Sequence, residues 1–518
     1  MRGGKPGGRN ADEPSTLLAT AATAAVCILL VATSVTALHY RRQLSARPQH
    51  TTSASLRQQP RASQATFVQP KCTPVYAKPD AGATLLTQLL SGTDVTPLDQ
   101  TTAKGTTWQR VRFWSGIEGY IAASALGPQP PSPPQPLLPC DYPGVASAQA
   151  DPLSSSRASY PLTASGVTMV AATLYPQSDE RALPAAALPL GTRLTISQWA
   201  ADGSGRPWYH VSANGSNGWL WSGTVRLEQP SPATRQVRGA PIWAPIAGKG
   251  MVITNYLARH SDIDTVIQAT RQAGLTHLYT EVAFTSAGFY ARNTLDRLLP
   301  AAHKAGIAVI PRVYVSLQDI ATDVRLTTAV ATYTTPSGDR PDGVATYIVM
   351  LDGKTNEVRT NSASIYTYGQ LVRALLGPDT LLVAQAIPPF DQIYFPYAAI
   401  AASWNVIAPA DNWHSLAKQA YSQADVRHFV ANSIATVQAA MGADASVTPL
   451  PVEELGPTWD SQNAPTFTGA KNAPTGPEIT ADMDAARAAG SIGVSYFEWQ
   501  TATQAQWAAL TAYKWPNK

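Results

Sequence analysis

The C-terminal half of the chain alternates between two hydrophobic periods, and that alternation leaves few folds open. GMVITNYL, starting at Gly250, reads as a strand, and DIDTVIQATRQAG after it as an amphipathic helix. LTHLYTEVAF then precedes LDRLLPAAHKAG, IAVIPRVYV precedes DIATDVRLTTAVATY, and DGVATYIVML precedes SIYTYGQLVRALLG. LLVAQAIPP and WNVIAPADNW lead to DVRHFVANSIATVQAAMG, and SVTPLPV leads through EITADMDAARAAG to SIGVSYFEWQ. These strand candidates are almost continuously apolar, as in a parallel sheet covered by helices. About eight strands in 248–518 predict an α/β domain of (β/α)8 TIM type. No Gly-rich fingerprint follows the first strand, which removes the main support for a dinucleotide-binding sheet.

Ahead of this region the chain is built differently. Charged residues are only 14% of its 518 residues, and 42 are proline. A globular domain usually carries about a quarter charged residues, so the deficit points to long uncharged linkers. Residues 39–65 read as a stalk, 128–159 as a Pro-rich linker and 229–247 as a second linker. PQPPSPPQPLLP, 128–139, holds seven prolines in twelve residues, and in polyproline II geometry reaches roughly 37 Å.

Between the linkers lies an internal repeat. Tyr76 is followed 16 residues on by Gly92 in LLSGTDV, and Tyr175 is followed 16 residues on by Gly191 in LPLGTRL. WQRVR starts at Trp108 and WYHVS at Trp208; GYIAASAL starts at Gly119 and GWLWSGTV at Gly218. Short alternating runs with Gly turns predict two small all-β barrels, 66–127 and 160–228. Trp108 and Trp208 read as core aromatics.

Thr16–Leu38 is 23 residues without a charge, after a tail of residues 1–15. As a helix it would rise roughly 35 Å, enough to cross a hydrocarbon layer of ~30 Å. Its length suits an uncleaved transmembrane anchor better than a signal peptide cut near Ala37. Flanking arginines and lysines on both sides leave the orientation to the domains that follow. The expectation is a single-pass protein with its C-terminal domains outside the cytoplasm. Cys72 and Cys140 bracket the first β module, and an outside location would allow them to pair. Cys27 sits in the apolar run, and the absence of cysteine after Cys140 excludes a thiolate centre from the C-terminal half. A net charge of +4 without a basic, aromatic stripe argues against nucleic acid.

Chemistry in such a barrel sits at the C-terminal ends of the strands. Polar groups there are Glu281 on strand two, Arg312 on strand three, Asp352 after strand four and Gln385 on strand five. Asp411 and Trp413 follow strand six, Glu453 and Glu454 strand seven, and Glu498 and Trp499 strand eight. Carboxylates beside aromatic rings suit carbohydrate: cleavage needs an acid and a second carboxylate, and rings stack on sugar faces. Glu281 and Glu498 form the leading pair, since strands two and eight both flank strand one. Two strand spacings, roughly 10 Å, fit the wider gap of an inverting enzyme. The competing reading is structural, with each Glu bound to Arg312 or to a backbone amide. Trp413 and Trp499 are the expected sugar platforms. No GxSxG, HExxH or histidine cluster is present, so no metal or cofactor is expected. His303 in AAHKAG reads as a surface or packing residue.

Two resemblances follow from these motifs. The order Tyr, Leu-x-x-Gly-Thr, Trp-x-x-Val, Gly-Tyr/Trp-Ile/Leu resembles bacterial SH3 domains in both repeats. Such domains commonly lie outside the cytoplasm and in some proteins bind cell-wall peptide or glycan. KGMVI, GLTHLYTEV, GFYARNTLDRLLPAAHKAGI, the FPYA of Phe395–Ala398 and GVSYFEWQTATQAQW resemble a group of bacterial glycoside-hydrolase-like barrels. That resemblance implies a role near extracellular glycan or peptidoglycan. Relatives carry a D-x-E pair on strand four, where this chain reads ATYIVML with no carboxylate before Asp352. At Glu281 and Glu498 relatives more often have other residues. The resemblance therefore implies either a degenerate, glycan-binding barrel or a hydrolase whose acids have moved to Glu281, Glu498 or Asp352.

Overall fold

The computed structural model describes residues 66–70, 72–129, 159–203, 205–228, 236–237, 240–348, 362–386, 397–411, 413, 422–441, 448–449, 452–454 and 474–516. Thr16–Leu38, Cys140, Asp352 and most of the Pro-rich linker lie outside these residues. Among the described residues no helix is long and apolar enough to cross a membrane. Ser63–Lys518 forms one compact unit.

The first repeat forms β1 (Thr66–Val68), β2 (Cys72–Tyr76), β3 (Leu85–Leu90), β4 (Asp94–Ala103), β5 (Thr106–Phe113), β6 (Ile117–Ala122) and β7 (Leu126–Gly127), joined in the order β3-β2-β6-β5-β4-β1-β7. Alternation of buried and exposed positions along β5 and β6 turns Val111, Phe113 and Ile121 into its core. Cys72 is disulfide-bonded, and both Cys27 and Cys140 lie outside the described residues.

The second repeat forms β8 (Ser159–Thr168), β9 (Ala172–Leu174), β10 (Ala186–Leu188), β11 (Arg193–Ala201), β12 (Pro207–Ala213), β13 (Ser216–Trp221) and β14 (Val225–Leu227). Its main sheet has the order β13-β12-β11-β8-β14, with β9 and β10 paired separately. Detail recurs between the two. Tyr76 meets Trp108 edge to face at 5.8 Å, and Tyr175 meets Trp208 edge to face at 5.6 Å. A Cβ on Gly119 would stand 3.1 Å from the Tyr76 carbonyl, and one on Gly218 would stand 2.9 Å from the Tyr175 carbonyl. The glycine in each GY/GW motif thus admits the neighbouring strand.

β15 (Gln236–Val237) and β16 (Ala240–Pro241) make a short ribbon. The stretch read as a linker then contributes Ile242 and Ile246 to the barrel interior, with Trp243 packed against them.

The barrel strands are β17 (Gly248–Ile253), β18 (His277–Phe284), β20 (Ala308–Tyr314), β21 (Val344–Ile348), β22 (Leu382–Ala386), β23 (Val406–Pro409), β24 (Thr448–Pro449), β25 (Val452–Glu454) and β26 (Gly493–Phe497); β19 (Gly288–Phe289) is a hairpin strand on β18. Every barrel pairing is parallel. β24 pairs with β23 and β25 pairs with β26, and only two residues separate β24 from β25. β24 and β25 are thus the two ends of the sheet. Helices follow the strands: α1 (Asn255–His260), α2 (Ile263–Gln272), α3 (Arg292–Lys304), α4 (Ile320–Ala331), α5 (Ser362–Leu376), α6 (Tyr397–Ala401), α7 (Gln423–Met441), α8 (Gly476–Ala488) and α9 (Gln504–Ala512). Asp262 and Asp319 cap α2 and α4, and capping boxes at Thr475–Glu478 and Thr503–Gln506 open α8 and α9.

Both β modules pack on the barrel. Trp114, at the β5–β6 turn, lies edge to face with Trp499 at 5.3 Å; the Asp94 carboxylate accepts from Gln504 N at 3.2 Å; Thr87 Oγ1 meets Ser261 Oγ at 2.8 Å. On the second module, Arg325 Nη1 donates to Tyr160 Oη at 2.8 Å, and Leu227 N donates to Gln370 Oε1 at 2.8 Å.

Candidate functional site

Strand alternation builds the barrel interior in layers. Val252, Tyr279, Ile310, Ala345 and Val383 belong to one apolar cluster; Val252, Tyr279 and Ile310 lie side by side, and Ala345 lies between Arg312 and Val383. Two residues further along each strand, the same face carries Glu281, Arg312, Tyr347 and Gln385. Glu281 is in register with Arg312, Tyr314 with Tyr347, and Tyr347 with Gln385. This polar layer lies toward the C-terminal mouth, where barrel chemistry is found.

Arg312 is its centre. The guanidinium carbon stands 5.2 Å from the Tyr314 ring centre, 5.3 Å from Tyr347 and 5.5 Å from Phe497, each within cation–π range. Burial alone would weaken its proton affinity, but the charges of Tyr314, Glu281, Tyr347 and Glu498 outweigh that and raise it. Arg312 is therefore a fixed cation with two carboxylates within electrostatic reach. Its Nε and Nη1 have no hydrogen-bond partner, and neither do the Nε2 and Oε1 of Gln385, although both side chains are buried. Buried polar groups in this condition mark a place where a ligand's hydrogen bonds are of use. The Tyr314 hydroxyl donates to Glu281 Oε1. Burial pushes that phenol well above the ordinary range, so it remains a donor at neutral pH.

Aromatic rings line the same end. Tyr314 and Tyr347 meet at 4.8 Å, and Phe284 lies 5.8 Å from Tyr314 and is exposed. The sequence reading missed Phe284, Tyr314, Tyr347 and Phe497. The signal was there: each ends a strand as the last or next-to-last apolar residue, on a face shared with Glu281 or Arg312.

The expected platforms need correction. Trp499 is fully buried between Trp114 at 5.3 Å and Trp507 at 4.8 Å, holding module and barrel together. Trp413 is buried in the core between sheet and helices. Neither indole presents a face to a sugar. Asp411 also leaves the mouth: it is buried, accepts from Ser433 Oγ of α7, and feels the charge of Asp482 on α8. Burial raises its pKa well above the usual carboxylate value, and it serves as a packing group. Glu453 and Glu454 lie within β25 itself, in register with Tyr496 and Phe497. Arg312 and Gln385 sit where the strand ends were expected to bring them. Glu281 and Glu498 are brought around one guanidinium, and Asp352 lies outside the described residues.

Two other features resolve as structural. The imidazole of His277 bonds Ser495 Oγ at 2.8 Å and Thr276 Oγ1 at 3.0 Å; burial lowers its pKa to about 3, so it is neutral. Lys249 is buried near the opposite end of the barrel, and its ammonium donates to the carbonyls of Ala273, Leu510 and Tyr513. A cavity of about 600 Å³ lies at that N-terminal end, lined among others by Trp243, Thr276, His303, Asp342 and Trp515. It is at the opposite end of the strands from Glu281 and Glu498. No group of His, Cys, Asp and Glu among the described residues could hold a metal ion.

Comparison with known proteins adds the following. Residues 73–127 match the family described as bacterial SH3 domain. No curated protein matches the chain. Solved structures similar to it include a class V chitinase from Pseudomonas fluorescens Pf-5, at 10% identity and TM-score 0.37, covering 51% of this chain and 99% of that one. The spore cortex-lytic enzyme SleL of Bacillus megaterium QM B1551 is 10% identical with TM-score 0.37, covering 52% and 74%. A chitinase from Chromobacterium violaceum ATCC 12472 is 12% identical with TM-score 0.36, covering 52% and 100%. At these values the likeness says nothing about this chain's chemistry.

Proposed function

We propose that the barrel mouth binds a glycan of the cell envelope, with Phe284, Tyr314 and Tyr347 as the aromatic wall and Arg312, Gln385 and Glu281 as hydrogen-bonding groups. The observation that carries this reading is two buried, under-bonded side chains, Arg312 and Gln385, at the end of the barrel where Phe284 is exposed. Sugars offer hydroxyls to the two polar side chains and an apolar face to the ring. The bacterial SH3 match supports a cell-envelope setting. The recurring Tyr–Trp pair and the glycine beside each tyrosine carbonyl support a second SH3-like module at 160–228. The parallel sheet, whose end strands β24 and β25 are two residues apart in sequence, supports a complete (β/α)8 barrel. The disulfide at Cys72 supports an oxidising compartment, with Cys140 as its proposed partner. Thr16–Leu38 is the proposed anchor.

Hydrolysis is the second reading, favoured by the gathering of Glu281 and Glu498 around one site. Against it stands the Arg312 guanidinium, a fixed positive charge within electrostatic reach of both carboxylates. One experiment separates the readings: incubation with purified cell wall and a panel of soluble glycans, scoring bound protein and released reducing ends. Binding without release, weakened roughly 3- to 10-fold in Phe284→Ala, supports the binding barrel. Release abolished by Glu498→Gln or Glu281→Gln establishes the hydrolase. Neither binding nor release across the panel overturns both.

A further inference from the structure

The two β modules build the same backbone corner from different side chains. In the first, Gly92 N donates to Val68 O at 2.7 Å, Val68 N to Thr93 O at 2.9 Å, and Gln69 N to Ala125 O at 2.9 Å. In the second, Gly191 N donates to Thr168 O at 2.9 Å, Thr168 N to Thr192 O at 3.0 Å, and Met169 N to Thr224 O at 2.8 Å. Trp108 pairs with Ala122 in one, and Trp208 with Trp221 in the other. These bonds fix the correspondence of positions. Gln69, Pro70, Ser91 and Ala122 in the first module stand where Met169, Val170, Leu190 and Trp221 stand in the second.

The fold does not require those four apolar residues, since the first module makes the corner without them. In the second they are 39, 51, 69 and 41% exposed. Large exposed hydrophobics among the described residues are otherwise Leu183, in the β9–β10 loop, and Phe284 at the barrel mouth. Water-facing apolar groups gathered at one hydrogen-bonded corner mark an interaction surface.

Charge says what covers it. Arg193 and Arg226 flank the corner on either side of β8, both in register with Val167, and both are exposed. The carboxylate in line with them, Glu228, lies further off, opposite Ser165. Aliphatic side chains and an indole rimmed by arginines form the composition that settles into the headgroup region of an anionic bilayer. We infer that this corner of the second module docks on an anionic lipid surface, with Met169, Val170, Leu190 and Trp221 entering the interface and Arg193 and Arg226 meeting the headgroups. The surface is separate from the barrel mouth and does not depend on what the mouth binds.

The test reads the side chains themselves. Full-length protein is reconstituted in vesicles of phosphatidylcholine with or without phosphatidylserine and labelled with hydroxyl radicals. On serine-containing vesicles, Met169 and Trp221 become protected relative to Leu183, which is outside the corner. Arg193→Ser with Arg226→Ser reduces the ratio of docked to undocked corner roughly 30-fold, about 5-fold per arginine. Met169→Ser with Leu190→Ser abolishes protection of Trp221, while labelling of the buried Trp208 stays unchanged as the check on folding. Equal labelling of the corner on both vesicle types overturns the inference. So does protection in vesicle-free protein that grows with concentration, which would assign the corner to a second copy of the chain.

Discussion

Trp499 is the residue whose role the structure changes most, and Trp499→Ala tests the change. The indole is fully buried, with Trp114 of the first module on one side and Trp507 of α9 on the other. Replacing a buried Trp by Ala costs about 3–5 kcal/mol. The edge-to-face contact with Trp114 contributes about 1 kcal/mol of this. No hydrogen bond is lost, because Nε1 has no partner. Trp499→Phe therefore costs much less, under about 1.5 kcal/mol. The assay is urea denaturation of the Ser63–Lys518 unit, followed by circular dichroism for wild type, Trp499→Ala, Trp114→Ala and the double variant. The cycle should return a coupling of about 1 kcal/mol between module and barrel. Additive single changes would refute the interdomain role. So would a Trp499→Ala protein of wild-type stability that has lost only glycan binding, since the indole would then be a sugar platform.

Three further outcomes follow from buried or paired groups. His303 works against burial, but Asp339 at 2.9 Å and Asp342 at 3.1 Å raise its pKa overall. Its stabilisation is thus full below the ordinary value of about 6.5 and lost as pH rises through the folded value, so wild type and His303→Ala should converge in Tm as pH rises. Burial raises the Asp323 carboxyl to about 6; its contribution is present below the ordinary value of about 3.9 and fades as pH climbs to about 6, so Asp323→Asn should flatten the stability slope across that interval in pH-dependent urea titrations. A Cβ at residue 250 would stand 2.0 Å from His277 Nε2, so Gly250→Ala should cost about 1–3 kcal/mol by thermal denaturation, with a wild-type Tm counting against the packing described.

The order of strands and helices was legible because a covered parallel sheet leaves apolar runs of strand length between helices of a different period. Arg312, Gln385 and Glu281 could be placed at strand ends for a related reason: polar residues stand out against such apolar runs. The aromatic assignments failed because burial is not encoded in residue type. Trp499 follows strand eight immediately, and nothing local says that a loop of another module will cover it. Asp411 failed in the same way, since the helix carrying Ser433 closes over it from more than twenty residues away. Tyr314, Tyr347 and Phe497 were not singled out, yet their rings gather around the Arg312 guanidinium. The linker reading of 229–247 took in Ile242 and Ile246, which belong to the interior cluster of the barrel.

Trp114 and its neighbours fix the first module to the rim instead of leaving it on a tether. A tethered module would let the mouth search a volume, and any ligand spacing within the linker's reach would serve. A module bolted to the rim has no such tolerance. A polymer that touched both surfaces at once would have to carry its contact points at one set distance. The packing at Trp499 therefore sets the distance between the module and the mouth.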